Sequence, residues 1–288
     1  MFLAFRVVIG KVGRVSTKRV PGRLKLRSFS NSALNIFTYV ALMILPIPAL
    51  AEDVTTKPAI VSFTFDDGGM TQFDNGLRIA AAYGISGTIF LPTELVNAST
   101  AAPGESWVID WSKARAFLDA GWEIGAHGRS HLKLTELEEA EIETEIEGPI
   151  LDIEREIGVR PVSFSSPFGA FTDQTIARIM ESYTFHLSWK GHGGRNPTSG
   201  IDPRYIGRLE VTFDMSATLV CGEMVRAAQN DTWLVLLFHG IVNGDPADYQ
   251  ITANKFEAII ACARFLEDNG IVEVKTVRDA MAAIEAGN

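Results

Sequence analysis

Cysteine is almost missing from this chain, which has two, Cys221 and Cys262, among 288 residues. That count excludes a disulfide-built scaffold, and the pair has the spacing of neither a zinc-ligand set nor a redox motif. An oxidising compartment would permit a bond between them, but two small buried thiols on separate helices is the preferred reading. Acidic residues are absent from the first 51 positions, which carry eight basic ones. Beyond that point the shortage reverses: 18 basic residues face 35 acidic ones, a balance of −17. So acidic a body lacks the basic footprint that nucleic acids and other polyanions require, and it suits a neutral or cationic partner better. Internal repeats and low-complexity tracts are missing too, which excludes solenoid and array architectures.

What is present is apolar residue in quantity, 47% of the chain, enough for one large core. The basic N-terminus leads into an apolar run, Ala33 to Leu50, that ends in Ala49-Leu50-Ala51. Positive region, apolar region and A-x-A site together form a secretory signal pattern with cleavage before Glu52. Asn35, Pro46 and Pro48 make the run a poor spanning helix, and an uncleaved anchor is the alternative. Residues 1–51 are therefore expected to be a signal peptide or N-terminal anchor. Residues 52–288 are expected to sit outside the cytoplasm, as a periplasmic, extracellular or outward-facing membrane-anchored body.

That body alternates short β-like runs with amphipathic segments. Strands are expected at Ala59–Phe65, Gly87–Leu91, Trp122–Ala126, Pro161–Ser165, Phe185–Trp189, Tyr205–Val211, Trp233–Phe238 and Ile271–Val274. Helices are expected between them, including Gly76–Tyr83, Ser112–Ala120, Thr172–Glu181, Ser216–Gln229, Ala253–Asp268 and Thr276–Glu285. A long acidic helix over Thr135–Ile157 opens on a capping box, Thr135 with Glu138. Its glutamate-rich run from Glu136 to Glu147 reads as a solvated face. Gly191–Pro203 reads as a long loop. Repeated βα units imply an α/β fold with a parallel sheet, either doubly wound or closed.

In such folds ligands sit where strands end. Four apolar runs are followed directly by polar or backbone-shaping residues: Asp66-Asp67-Gly68, His127, Ser165-Ser166-Pro167-Phe168-Gly169, and His239. Adjacent carboxylates repel and ask for a cation or a proton, although an acidic turn before Gly68-Gly69 would also explain Asp66 and Asp67. His127 and His131 are four residues apart, which puts both on one helix or turn face, a usual metal-binding spacing. Two imidazoles and a carboxylate leave an open coordination position, as in catalytic zinc sites.

Thr64-Phe65-Asp66-Asp67-Gly68, then His127-x-x-x-His131, then Pro167-Phe168-Gly169, then Leu236-Leu237-Phe238-His239 resemble the polysaccharide deacetylases of the NodB-homology type, carbohydrate esterase family 4. The resemblance spans roughly Ala59 to Val274. It implies a distorted (β/α) barrel of about seven to eight parallel strands and a catalytic domain over 52–288. It implies that Asp67, His127 and His131 hold a divalent metal. Zn²⁺ is the first choice, and Co²⁺, Ni²⁺ or Mn²⁺ are also suitable. It further implies Asp66 as base and His239 as acid, where a core histidine is the alternative. Pro167, Phe168, Gly169 and Trp189 would meet an N-acetylated polysaccharide or oligosaccharide, and Trp107, Trp111 and Phe171 are further aromatics that could stack on sugar rings.

Two departures stand out. The family's third motif normally carries an arginine that contacts the base, and here that position is Ser165. Arg208, in the run Ile206–Val211, is the expected replacement, with a surface arginine as the alternative. The acid-and-tryptophan pair that tunes the acid histidine is not recognisable, Trp189 being a possible remnant. Two other functions remain open: hydrolysis of a non-sugar linear or cyclic amide, and carbohydrate binding without catalysis.

Overall fold

The computed structural model describes residues 57–102, 106–188 and 192–287. The expected signal or anchor segment and Trp189 lie outside the described residues. Among the described residues, no helix is long and apolar enough to cross a membrane.

The strands are β1 (Ala59–Phe65), β2 (Thr88–Leu91), β3 (Glu123–Ala126), β4 (Ser163–Ser165), β5 (Phe185–Ser188), β6 (Arg195–Pro197), β7 (Ile206–Gly207), β8 (Leu209–Glu210), β9 (Thr232–Phe238), β10 (Gly240–Val242), β11 (Gln250–Thr252) and β12 (Val272–Val274). Strands β1 to β5 pair in order and in parallel, β5 pairs β7, β8 pairs β9, and β9 returns to β1. The result is a distorted (β/α) barrel of eight parallel strands, in which β7 and β8 share one position on either side of Arg208. The expected single strand Tyr205–Val211 is thus broken, because its first half pairs with β5 and its second with β9. At the opposite end, β12 pairs the start of β1 and β6 runs antiparallel to the start of β9. Strand β6 and the 3-10 turn His192–Gly194 replace much of the expected loop over 191–203.

Period-2 alternation divides the core in two. Ile60, Phe90, Phe185, Leu187, Ile206, Trp233 and Val235 cluster inside the barrel, plugged below by Val277, Ala280, Met281 and Ile284 of the helix Val277–Gly287. Val61, Phe63, Phe65, Ile124, Phe164, Leu236 and Phe238 face the helices. Phe65 sits at the centre of that outer layer, its ring 4.7 Å from Trp122 and 5.7 Å from Phe256. Gly125 keeps the interior closed: a Cβ there would lie 2.5 Å from the Phe90 ring.

Several expectations are corrected. The segment near Gly76 begins as a π-helix, Gln72–Leu77, before the α-helix Arg78–Ala82. The acidic helix starts at Glu139, and its capping box joins Glu138 and Glu141; Thr135 lies in a separate 3-10 turn, Leu134–Glu136. Glu145 of that helix is buried rather than solvated. The helix Thr93–Ala101 was not expected from the sequence pattern.

The two cysteines form a disulfide, Cys221–Cys262, with Cα atoms 6.0 Å apart. Their helices, Ala217–Gln229 and Ala253–Asp268, pack side by side, a contact that no sequence spacing announces. Closing a loop of 41 residues restricts the unfolded chain and contributes about 4 kcal/mol in the loop-entropy account. Reduction is expected to lower the urea midpoint accordingly. Identical unfolding curves with and without reductant would remove the disulfide from the list of stabilising features.

Candidate active site

The inward-facing register of each strand ends at a polar residue on the same rim. On β1 it runs through Ile60, Ser62 and Thr64 to Asp66; on β3 through Glu123 and Gly125 to His127; on β9 through Trp233, Val235 and Leu237 to His239. Ser165 ends β4, and Arg208 and Glu210 end the β7/β8 position. One geometric rule therefore brings six side chains to the barrel mouth.

Asp66 is buried, 3% exposed, and its charge is met on both oxygens. Arg208 donates from Nη1 to Oδ1 at 2.7 Å and from Nη2 to Oδ2 at 2.9 Å. Ser165 Oγ donates to Asp66 Oδ2 at 3.0 Å and accepts from Arg208 Nη2 at 2.8 Å. Burial pushes the Asp66 carboxyl up, but Arg208, His127 and His239 together pull it further down, to below the ordinary carboxylate range. The bidentate fork supplies both charge and orientation.

Asp67 turns the other way because its backbone is left-handed, φ 76°. Its Oδ1 lies 3.3 Å from His127 Nε2 and 3.1 Å from His131 Nε2. These three residues offer ligand atoms within 4.8 Å of one another. Burial raises the Asp67 carboxyl, and hydrogen bonds from the two histidines lower it more, leaving it far below its usual value. His127 Nδ1 donates to the Ser165 carbonyl at 2.7 Å, which fixes the ring with Nε2 turned toward Asp67. The two histidines occupy a turn, not a helix: Gly128 has φ 69° and His131 φ 60°.

His239 stands across the mouth with Nδ1 3.2 Å from Glu210 Oε1, near enough for an ion pair although its angle falls outside a hydrogen bond's. Burial lowers the imidazole, but Glu210, Asp66 and Asp67 raise it more, so it holds its proton above its ordinary range. Gln72 ties the two sides together. Its Nε2 donates to the backbone carbonyls of both Asp66 and His239, and its Oε1 accepts from Gly69 N at 2.9 Å. Sequence reading missed Glu210 and Gln72. For Glu210 the signal was two-residue spacing from Arg208; for Gln72 none existed, because its role depends on the π-helical start of its segment.

Of the proposed aromatics, Phe168 is 60% exposed, with φ 58° and its ring 4.7 Å from that of His131. Trp107 is exposed beside the loop after Asp67, where its carbonyl accepts from Met70 N. Trp111 is buried core, its Nε1 on Asn97 Oδ1, so it cannot stack on a ligand. Phe171 packs on His186 and Tyr205. Gly169 N donates to Ser166 O, and Pro167 is buried. A further exposed ring, Tyr249, lies 6.0 Å from His239 on a left-handed backbone. Among the described residues, four of the five non-glycine residues with positive φ, Asp67, His131, Phe168 and Tyr249, thus flank this mouth, the concentration of strain common at functional sites.

Similar structures share this architecture. The Xyl-CE4 domain of a multidomain xylanase from the hindgut metagenome of Trinervitermes trinervoides matches at TM-score 0.52 and 18% identity, covering 78% of this chain and 91% of that one. A peptidoglycan N-acetylglucosamine deacetylase matches at 0.53 and 17%, covering 79% and 90%. A family 4 pseudoenzyme from Bacillus anthracis matches at 0.52 and 16%, covering 78% and 66%. At these identities the likeness establishes the fold. Among curated proteins no sequence matches. The family model described as polysaccharide deacetylase matches residues 53–187, the stretch that carries Asp66, Asp67, His127, His131 and Pro167-Phe168-Gly169. Through residues 53–187, just under half of its length, this chain is similar to the polysaccharide deacetylase family.

Proposed function

We propose that this protein is an exported, divalent-metal-dependent hydrolase that removes N-acetyl groups from a polysaccharide or oligosaccharide of N-acetylated amino sugars. The observation that carries this reading is the pairing of a buried, ionised Asp66, forked by Arg208, with the Asp67–His127–His131 cluster and a proton-holding His239 on one rim. A carbohydrate-binding module has no use for an acid and a base set against each other.

The donor set fits a metal: two imidazole nitrogens and one carboxylate oxygen converge, and the Ser165 carbonyl holds the His127 ring with Nε2 toward the cluster. Zn²⁺ suits such a set best, with Co²⁺, Ni²⁺ and Mn²⁺ as alternatives. Held there, the cation would supply Lewis acidity toward the acetyl carbonyl. Asp66 accepts the proton of the attacking water at its carboxylate, which Arg208 and Ser165 keep oriented. The backbone N–H of Phe168 is the donor assigned to the developing oxyanion, since Gly169 N is already bonded to Ser166 O. His239 gives its proton to the leaving nitrogen, and the products are acetate and a free amino sugar. Phe168 offers an exposed ring for a sugar face. The acidic body supports a neutral polymer over a polyanion, and the disulfide supports an oxidising, exported location.

Acetate release from a panel of N-acetylated polymers, with and without chelator, tests the reading. Chelator-sensitive release from at least one of them is expected. Metal uptake without acetate release would move the assignment to a non-sugar amide. Absence of both metal and acetate would leave a binding protein.

A further inference from the structure

The turn that carries both histidines is itself held by a carboxylate that takes no part in the chemistry above. Glu145, in the helix Glu139–Ile157, is 3% exposed. Its Oε2 accepts from Arg129 N at 2.8 Å and from Ser130 N at 2.9 Å, and its Oε1 lies 3.0 Å from Ser130 N. Two successive backbone N–H groups thus converge on one buried anion, in the manner of an anion nest. Gly128 makes room for it: a Cβ there would stand 2.9 Å from Glu145 Oε2. The same helix face adds two more contacts. Gly148 accepts the Arg129 stem, where a Cβ would come 2.5 Å from Cδ, and buried Asp152 lies 3.5 Å from Arg129 Nε. From the other side Glu94 N donates to Arg129 O at 2.8 Å, and Ser130 Oγ donates to Glu94 Oε2 at 2.6 Å.

The two histidines are supported differently. His127 is anchored through its ring by the Ser165 carbonyl. Among the described residues no hydrogen bond reaches His131 Nδ1; its ring meets Asp67 and Phe168, and the left-handed backbone at His131, φ 60°, sets the point from which that ring reaches them. That backbone directly follows the pair of N–H groups that Glu145 holds.

We propose that Glu145 is a positioning residue, whose buried carboxylate fixes the turn Gly128–Ser130 and thereby presents His131 Nε2 to Asp67 and His127. The proposal rests on the reading above that these three residues hold a divalent cation. Removing the carboxylate leaves two half-buried backbone N–H groups without their acceptor, and the turn relaxes to bond elsewhere.

Co²⁺ titration of the purified full chain, followed by visible absorption, tests it. Glu145→Ala is expected to weaken Co²⁺ binding about 10–100-fold and to alter the visible spectrum, as loss of an outer support does at other metal sites. Glu145→Gln keeps the shape and one acceptor, so its affinity should fall between the two, and it carries the test if the alanine variant does not fold. A destabilised but otherwise uninvolved helix would lower the unfolding midpoint without changing the spectrum. Wild-type affinity and spectrum in either folded variant, with His131→Ala weakened, would overturn the proposal and leave the ligand assignment standing. Wild-type and His131→Ala proteins that take up Co²⁺ equally would instead sink the ligand assignment and this inference with it.

Discussion

Arg208→Ala is expected to cost the protein both stability and activity. The substitution leaves Asp66 buried without its counter-ion, and breaking a buried pair in this way costs about 3–5 kcal/mol. Ser165 remains as a single neutral donor to Asp66 Oδ2, 3.0 Å away, and cannot replace two charge-assisted bonds. With Arg208 gone, burial, already the largest single influence on Asp66, pushes its carboxyl upward. The acidic limb of kcat/KM then moves toward neutral pH, and activity below that limb falls. Loss of the base function proposed for Asp66 is expected to cost about 10²–10⁴-fold in rate. Arg208→Lys keeps the charge but not the fork, so it should recover part of the stability and less of the rate. Combining Arg208→Met with Asp66→Leu removes both charges; stability should largely return while activity stays absent, separating folding from chemistry. An Arg208→Ala protein with full activity and an unchanged pH profile would end the assignment of Arg208 as the partner of the base.

Glu210→Gln is expected to shift the basic limb of the pH profile to lower pH with little effect on the plateau. In the proposed reaction His239 is the acid and must be protonated, so activity is expected to fall as pH rises through its pKa. In the folded protein that pKa lies above the ordinary 6.5, because Glu210, Asp66 and Asp67 outweigh burial. Removing the Glu210 charge leaves burial less opposed, and the proton leaves earlier. The comparison of two profiles cancels any influence common to both proteins, including that of a bound cation. His239→Ala, by contrast, should lower kcat by about 10²–10⁴-fold across the range. A basic limb that does not move in Glu210→Gln would show that Glu210 is a neighbour of His239 without being its tuner.

Most of the fold could be read along the chain, because βα alternation and fully apolar strand runs are local patterns. The barrel's closure could not. It depends on the Ile206–Val211 segment pairing β5 with one half and β9 with the other, and both pairings are non-local. The glutamate run misled for a related reason. Seven-residue spacing puts Glu145 and Asp152 on one helix face, but whether that face meets water or a histidine turn is a tertiary fact.

The sequence by itself determined which polar groups stand at the strand ends. Asp66-Asp67, His127 and His239 follow apolar runs directly, with His131 four residues beyond His127, and a parallel βα fold must gather such ends on one rim. Tertiary structure alone decided how those groups are charged and held. Arg208, Ser165, Glu210, Gln72 and Glu145 act through contacts made across long separations, 142 residues in the case of Arg208 and Asp66. Charge compensation in a buried site is set by distance in space, on which the order of residues along a chain is silent.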